Sequence, residues 1–165
     1  MKGSNSFSVP YSLCVAGCLF AACTAPATFE ENVKLGGDRW MKNNTVSFTL
    51  PVTDTLGAYA IIIGLRNNND YPFRNIHFFV DVTSPGGVSA CDTVEYELAD
   101  AQGKWLGKQG NYWVDHRLLY RPVVMFTDTG NYVFGLRHGM RADTLHGIGA
   151  VGLRLELLDI EGGQK

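Results

Sequence analysis

The sequence has no excess of positive charge. Its 165 residues include 14 Lys and Arg against 16 Asp and Glu, which gives a net charge of -2 and a pI near 6.0. Surfaces that bind nucleic acid usually carry a basic excess, so the composition argues against a nucleic-acid partner. The same charge balance argues against a purely electrostatic attachment to a membrane.

The motifs of common enzyme classes are also missing. The four histidines show no metal-ligand spacing, and neither HExxH, GxSxG nor a glycine-rich phosphate loop occurs. His77 falls on the outward face of a predicted strand, which indicates a solvated side chain rather than a general base. The segment 67–70 has one carboxylate and does not match a calcium loop. The sequence therefore predicts no catalytic residue, no metal, no cofactor and no small-molecule substrate.

Cysteine is scarce, and its positions are informative. The four cysteines are Cys14, Cys18, Cys23 and Cys91. If Cys23 is acylated, Cys91 is the one thiol left in the mature chain, which excludes an intramolecular disulfide. Cys91 lies in a strand-like run without a neighbouring histidine or basic residue, so we expect it to be buried and inert.

The N-terminus lacks an apolar run long enough to span a bilayer, which needs about 20 residues. Lys2 precedes a mostly apolar stretch at 13–22, and small residues precede both Cys18 and Cys23. This pattern predicts a lipoprotein signal peptide and a cysteine that takes a diacylglycerol, with an ordinary secretory signal as the alternative. Cys18 fits the residue types slightly better. Cys23 ends the apolar run and leaves the polar tether 24–28, so we predict lipidation at Cys23.

The remaining chain alternates between apolar and polar residues. The segment 45–53 has period two, with Pro51 on the outward set, and 58–65 is a continuous apolar run typical of a strand covered on both faces. Five more strands are predicted, at 76–83, 93–98, 118–126, 132–136 and 151–157. Short strands separated by turn residues predict an all-β fold, an antiparallel β-sandwich, with one possible helical turn at 140–145.

The predicted organisation has one folded domain. Its parts are a signal peptide at 1–22, a lipidated N-terminus and tether at 23–36, the β-sandwich at 37–160 and a C-terminal tail at 161–165.

Four segments resemble the GldH gliding motility lipoproteins of the Bacteroidota. They are FEE at 29–31, LRNNNDYPFRN at 65–75, LADAQGKWLGK at 98–108 and VGLRLE at 151–156, in that order along the chain. The resemblance implies a non-enzymatic envelope lipoprotein needed for surface gliding, a process linked to type IX secretion. It also implies anchoring through the N-terminal lipid, at the outer membrane and facing the periplasm. It implies partners among the other envelope proteins of gliding or secretion.

The two longer segments also have the composition of turns. Asn and Asp favour left-handed and turn conformations, Pro72 fixes φ, and Gly103 is free to take a positive φ beside the packing anchor Trp105. Exposed loops carry function more often than the scaffold beneath them, so we expect a protein-binding surface here with Asn68 and Lys104 exposed. Its candidate residues are Asn67, Asn68, Asn69, Asp70, Tyr71, Lys104 and Trp105.

A carbohydrate-binding β-sandwich is the alternative function. Its aromatic platform would come from Trp40, Trp105, Tyr112 and Trp113. The competing interpretation of these aromatics is core packing, since aromatic side chains dominate core burial. An exposed coplanar pair beside Asp or Asn would favour sugar binding, and the fold alone does not decide.

Overall fold

The computed structural model describes residues 27–159. The predicted lipidation positions Cys23 and Cys18, the signal peptide 1–22 and the tail 161–165 lie outside this range. Across the described range, no helix has the length and apolar character needed to cross a membrane.

Antiparallel strands make up most of the described chain. A short 3-10 turn at Gly36–Asp38 accompanies them. The strands are β1 (Ala27–Lys34), β2 (Arg39–Met41), β3 (Val46–Val52), β4 (Tyr59–Asn67), β5 (Asn75–Thr83), β6 (Ser89–Glu97), β7 (Lys108–Gln109), β8 (Val114–Val124), β9 (Gly130–His138), β10 (Thr144–His146) and β11 (Ile148–Leu157).

Two main sheets pack face to face over one core. The first has the order β1-β11-β4-β8-β7 and the second β3-β9-β5-β6, while β10 and β2 form a separate pair. Side chains from both sheets form a single apolar cluster, with Trp40, Phe48, Phe78 and Phe134 among its fully buried members. The predicted antiparallel β-sandwich is confirmed.

The alternation of apolar and polar residues explains which side chains of each strand are buried. In β3, the side chains of Val46, Phe48, Leu50 and Val52 are buried and the residues between them are exposed. Pro51 is exposed on this edge strand, where a missing N–H donor is tolerated. β4 lies between β11 and β8, and its continuous apolar run is almost entirely buried, as predicted.

Three expectations about local structure are wrong. The segment 23–36 was expected to be a tether, but its part from Ala27 to Lys34 is strand β1, paired with β11. The helical turn at 140–145 is absent, because Thr144–His146 pairs as a strand with β2 and buries Leu145 opposite Trp40.

The third correction concerns Cys91, which is exposed rather than buried. Cys91 lies on the same face of the edge strand β6 as Thr93 and Glu95, and all three side chains point outward. Asp81 lies opposite Cys91 on β5, and hydrogen bonding to its carboxylate raises the pKa of the thiol. The thiol is therefore accessible but poorly ionised.

Because the strands run up and down, the connecting segments gather at two ends of the sandwich. The near end contains the start of β1, the loops 53–58, 84–88 and 125–129, and the end of β11. Here Ala27 pairs with Glu156, and Tyr59 pairs with both Leu157 and Val124. The far end contains the segments 35–45, 68–74, 98–113 and 139–147.

Candidate protein-binding site

The two motif segments lie side by side at the far end. The segment 65–75 covers the end of β4, the loop 68–74 and the start of β5, while 98–108 forms a hairpin after β6. The indole Nε1 of Trp105 donates a hydrogen bond to Oδ1 of Asn69 at 2.9 Å. The backbone nitrogen of Leu98 donates to the carbonyl of Arg74 at 2.6 Å. The structure thus joins both predicted turns into one surface.

Asn67 lies beneath this surface rather than on it. Its side chain is fully buried, its amide donates to the Asn68 carbonyl at 3.0 Å, and its Oδ1 lies 2.8 Å from Nε2 of His116. Burial lowers the pKa of His116, which favours a neutral imidazole. Asn67 and His116 therefore satisfy each other within the fold, as buried polar groups must.

Asn68 is buried as well, which corrects the expectation that it is exposed; its exposed fraction is 1%. Its Nδ2 donates to the Tyr112 hydroxyl at 2.7 Å, and its Oδ1 accepts from the backbone nitrogen of Asp70 at 2.8 Å. Its own backbone nitrogen donates to the Gly147 carbonyl at 2.9 Å. This side chain holds the turn in place from below.

Gly147 permits the close approach that buries Asn68. Its φ is +78°, and a Cβ at this position would collide with the backbone nitrogen of Tyr71. Only glycine meets both requirements without strain. The role of this residue was missed, because no pattern in the sequence links position 147 to the loop 68–74.

Tyr71 anchors the other side of the loop. Its ring is buried against Phe73 and Trp105, with centroids 5.6 and 6.4 Å away, and its hydroxyl donates to the Asn75 carbonyl at 2.8 Å. Burial raises the pKa of Tyr71 beyond its usual range, so the phenol stays neutral. Tyr71 thus belongs to the core rather than to the accessible surface.

The hairpin at 98–106 is fixed by one carboxylate. Oδ1 of Asp100 accepts hydrogen bonds from the backbone nitrogens of Gln102 and Lys104, each at 2.9 Å. Gly103 has a φ of +81°, which confirms the turn predicted there. Lys104 is exposed at the tip, and Trp105 is half-buried against the core.

The accessible part of the site is smaller than the predicted set. Asn69, Asp70 and Lys104 are exposed and Trp105 is half-buried, whereas Asn67, Asn68 and Tyr71 lie underneath. Arg74 and Leu106 are also exposed here, Leu106 to 59%, although neither was among the predicted site residues. The alternation of side chains along an extended segment could have predicted the exposure of Leu106. If Trp105 packs inward, the next side chain points outward. The surface offers amides, charges and apolar groups suited to contact with a protein.

The aromatic residues considered for sugar binding do not form a flat platform. Trp40 is fully buried, and Trp105 packs against the core. Tyr112 and Trp113 are adjacent, but their rings meet at 85° with centroids 4.8 Å apart. No exposed coplanar pair is present among these four residues.

A shallow groove of about 360 Å³ crosses the outer face of the first sheet. Gly64 and Gly152 lie side by side within it, with the Asn32 side chain directly above. Most of its charged side chains are paired with one another: Arg66 contacts Asp115 at 2.6 Å, and Arg154 pairs with Glu30 and Glu156. Within residues 27–159, no group of three His, Cys, Asp or Glu side chains is placed to hold a metal ion. The groove favours no class of ligand.

Comparison with known families matches nearly the whole described chain. A family model described as GldH lipoprotein matches residues 27–155, a range that includes both turns of the site. The chain belongs to the GldH lipoprotein family. The resemblance inferred from four short segments is therefore confirmed, and as a member of this lipoprotein family the chain is a membrane-anchored envelope protein.

Two curated relatives support the assignment to the GldH family. The gliding motility lipoprotein GldH of Flavobacterium johnsoniae is 32% identical over 154 residues, covering 89% of this chain and 95% of that protein. The gliding motility lipoprotein GldH homolog of Christiangramia forsetii is 30% identical over 148 residues, covering 86% and 90%.

Among solved structures, the Eiger TNF of S. frugiperda aligns over 85% of this chain and 99% of its own. The identity is 9% and the TM-score is 0.29, which is too low to indicate a shared topology.

Proposed function

We propose that this GldH-family protein is a membrane-anchored envelope lipoprotein that works without catalysis, as an assembly or scaffold component of gliding motility or type IX secretion machinery. The two relatives are named gliding motility lipoproteins, which supports the process. One observation supports the mode of action. The hydrogen bond from Trp105 to Asn69 joins both motif segments into a single surface.

The anchor in this proposal is a lipid on Cys23, with Cys18 as the weaker candidate. The protein would lie at the outer membrane and face the periplasm. One acyl chain binds a membrane only marginally, so stable anchoring relies on the several chains that a bacterial lipoprotein carries.

The far end has the construction of a binding surface. Its exposed residues Asn69, Asp70, Lys104 and Leu106 stand on buried residues whose side chains are hydrogen-bonded or packed in the core. A surface that is already ordered loses less conformational entropy when a partner binds. Anchoring to one membrane also raises the effective concentration of neighbouring envelope proteins.

The test is capture of partners from native membranes. Acylated full-length protein carrying an affinity tag is purified, and the proteins that come with it are identified by mass spectrometry. The double variant Lys104→Glu and Leu106→Ser should lose at least 90% of its specific partners while its melting temperature is unchanged. The matched control is Val88→Ser, at an exposed position of the near end, which should retain them.

Two results would contradict the proposal. Capture of the same envelope proteins by the double variant would remove the far end as the binding surface. Failure of the wild-type protein to capture any gliding or secretion component from a cell that assembles the machinery would remove the scaffold function.

A further inference from the structure

Exposed apolar side chains are concentrated at the near end of the sandwich. Ten large apolar residues are exposed in the described part of the chain, and six of them belong to this end. These six are Leu56, Val88, Val123, Met125, Val133 and Leu157. Leu56 and Val88 are 88% and 74% exposed, and each sits on the loop between two strands.

The near-end residues come from both sheets and lie at the same end of the domain. Leu157 pairs with Tyr59, and Tyr59 pairs with Val124, next to Val123 and Met125. In the other sheet, Val133 pairs with Thr83, immediately before the loop that carries Val88. The loops are adjacent, since a Cβ on Gly130 would touch Pro85. An apolar surface drawn from several loops is the kind of patch that marks a binding surface.

The chain itself indicates what covers this surface. Strand β1 begins at Ala27 at the near end, and only residues 24–26 separate it from Cys23. Four residues span at most about 14 Å when fully extended. If Cys23 carries the lipid, as the proposed function holds, the near end cannot move far from the bilayer.

We propose that the near end rests on the membrane, with Leu56, Val88 and Met125 in contact with lipid. The inference rests on the lipid anchor of the proposed function. This orientation also sets the distance between the membrane and the proposed binding site at the far end. Strand β4 runs nine residues from the near end to the far end, about 30 Å at the usual rise of a strand. The partner surface is then presented well above the lipid headgroups.

Charge indicates that the contact is apolar rather than electrostatic. The loops 53–58, 84–88 and 125–129 contain no Lys or Arg. Their two carboxylates are bonded locally: Asp54 accepts from the backbone nitrogen of Leu56, and Asp128 accepts from the Thr127 hydroxyl, both at 2.8 Å. The contact should therefore form on neutral lipid and be insensitive to salt.

Site-specific fluorescence tests this orientation. The acylated protein carries Cys91→Ser, which removes the exposed thiol, together with Leu56→Cys or Leu106→Cys. Each new thiol is labelled with an environment-sensitive dye, and the protein is placed in phosphatidylcholine vesicles with or without brominated acyl chains. The Leu56 label should shift to the blue and lose at least half of its emission to brominated lipid. The Leu106 label should do neither.

Different results overturn different parts of the account. Intact mass of the same sample reports the anchor, and a lipid on Cys18, or none, overturns the proposed anchor on which the inference rests. With Cys23 acylated, water-like emission at Leu56 overturns the membrane contact alone. A blue shift without quenching by brominated lipid assigns the near end to a protein or to a second copy of the chain. A requirement for anionic lipid overturns the apolar contact.

Discussion

The two ends of this β-sandwich differ in how they use polar and apolar residues. The near end has three loops of five or six residues, exposed apolar side chains, and carboxylates that bond within their own loops. The far end has longer connecting segments, a buried layer of asparagines, and the two longer of the four segments that resemble the GldH family. All four histidines of the chain also lie toward the far end.

The two ends would therefore meet two different requirements of a small lipoprotein, membrane contact and partner recognition. An end held against lipid needs little specificity, and short loops with apolar tips are sufficient. An end that selects a protein partner needs side chains held in fixed positions, and a buried hydrogen-bonded layer provides this. We therefore expect substitutions to have different consequences at the two ends.

The largest effect is expected from Gly147→Ala at the far end. An alanine at position 147 would have to adopt an unfavourable positive φ, and its Cβ would collide with the Tyr71 backbone. We therefore expect the variant to lose about 3 kcal/mol of unfolding free energy or more. Chemical denaturation monitored by fluorescence measures this loss. Gly103→Ala is the matched control. It has a similar φ but nothing within 4 Å of the new Cβ, and it should lose about 1–2 kcal/mol. Equal losses would refute the role of the close approach.

A smaller loss is expected from Asn68→Ala. Removing a buried amide that bonds Tyr112 and the Asp70 backbone should cost about 1–3 kcal/mol of unfolding free energy. Asn69→Ala removes one exposed bond to Trp105 and should cost less than about 1 kcal/mol. Partner capture is a separate measurement. If Asn69 contacts the partner, Asn69→Ala should reduce capture more than Asn68→Ala does. Equal stability of the two variants would show that the buried layer does not hold the turn.

Acid should weaken the far end. Burial lowers the pKa of both His116 and His138 below the ordinary value of 6.5. The unfolded chain therefore takes up protons near pH 6.5 before the folded chain does. The contribution of the two neutral histidines to the unfolding free energy is fully present above that pH. It is lost as the pH falls toward the folded-state pKa values, by at most about 1.4 kcal/mol per pH unit for each histidine. Denaturation between pH 5 and 8 measures this slope.

Histidine variants identify the source of the pH dependence. His138 is buried edge-on to Trp40, with ring centroids 5.4 Å apart, so His138→Leu should reduce the slope below pH 6.5. His146→Gln changes an exposed position and serves as the control. An unchanged slope in the His138 variant would locate the effect elsewhere.

The smallest effect on stability is expected at the near end. Leu56 is 88% exposed, so Leu56→Ser should change the unfolding free energy of the soluble domain by less than about 0.5 kcal/mol. Thermal and chemical unfolding of residues 24–165 give this value. A larger loss would mean that Leu56 packs within the domain and would weaken the contrast between the ends.

The main strands were predictable because one face of each is buried. Period-two alternation located β3, β5 and β9, and the apolar run located β4. Strand β1 was missed because most of its residues from Thr28 to Lys34 are polar and exposed. Phe29 and Val33 of β1 are half-buried against the core, and the strand is paired with β11 at the edge of the sheet. Backbone pairing of this kind leaves little trace in the hydrophobic pattern.

The site was predictable as a pair of turns but not as a layered structure. Asn, Asp, Pro and Gly indicate turns through their local conformational preferences, and both turns are present. Whether an asparagine faces solvent or the interior depends on contacts from distant segments. Asn68 is covered by Tyr112 and Gly147, which lie far from it in sequence. Burial of polar residues in a turn is therefore a tertiary property that local sequence does not specify.

Photo-crosslinking in cells tests the division of the two ends most directly. A photoreactive phenylalanine analogue is placed at Leu106 on the far end or at Leu56 on the near end of the acylated protein, and the adducts are separated by mass. We predict protein adducts from Leu106, and lipid adducts without protein adducts from Leu56. Protein adducts from Leu56 together with none from Leu106 would contradict the assignment of recognition to the far end and of membrane contact to the near end.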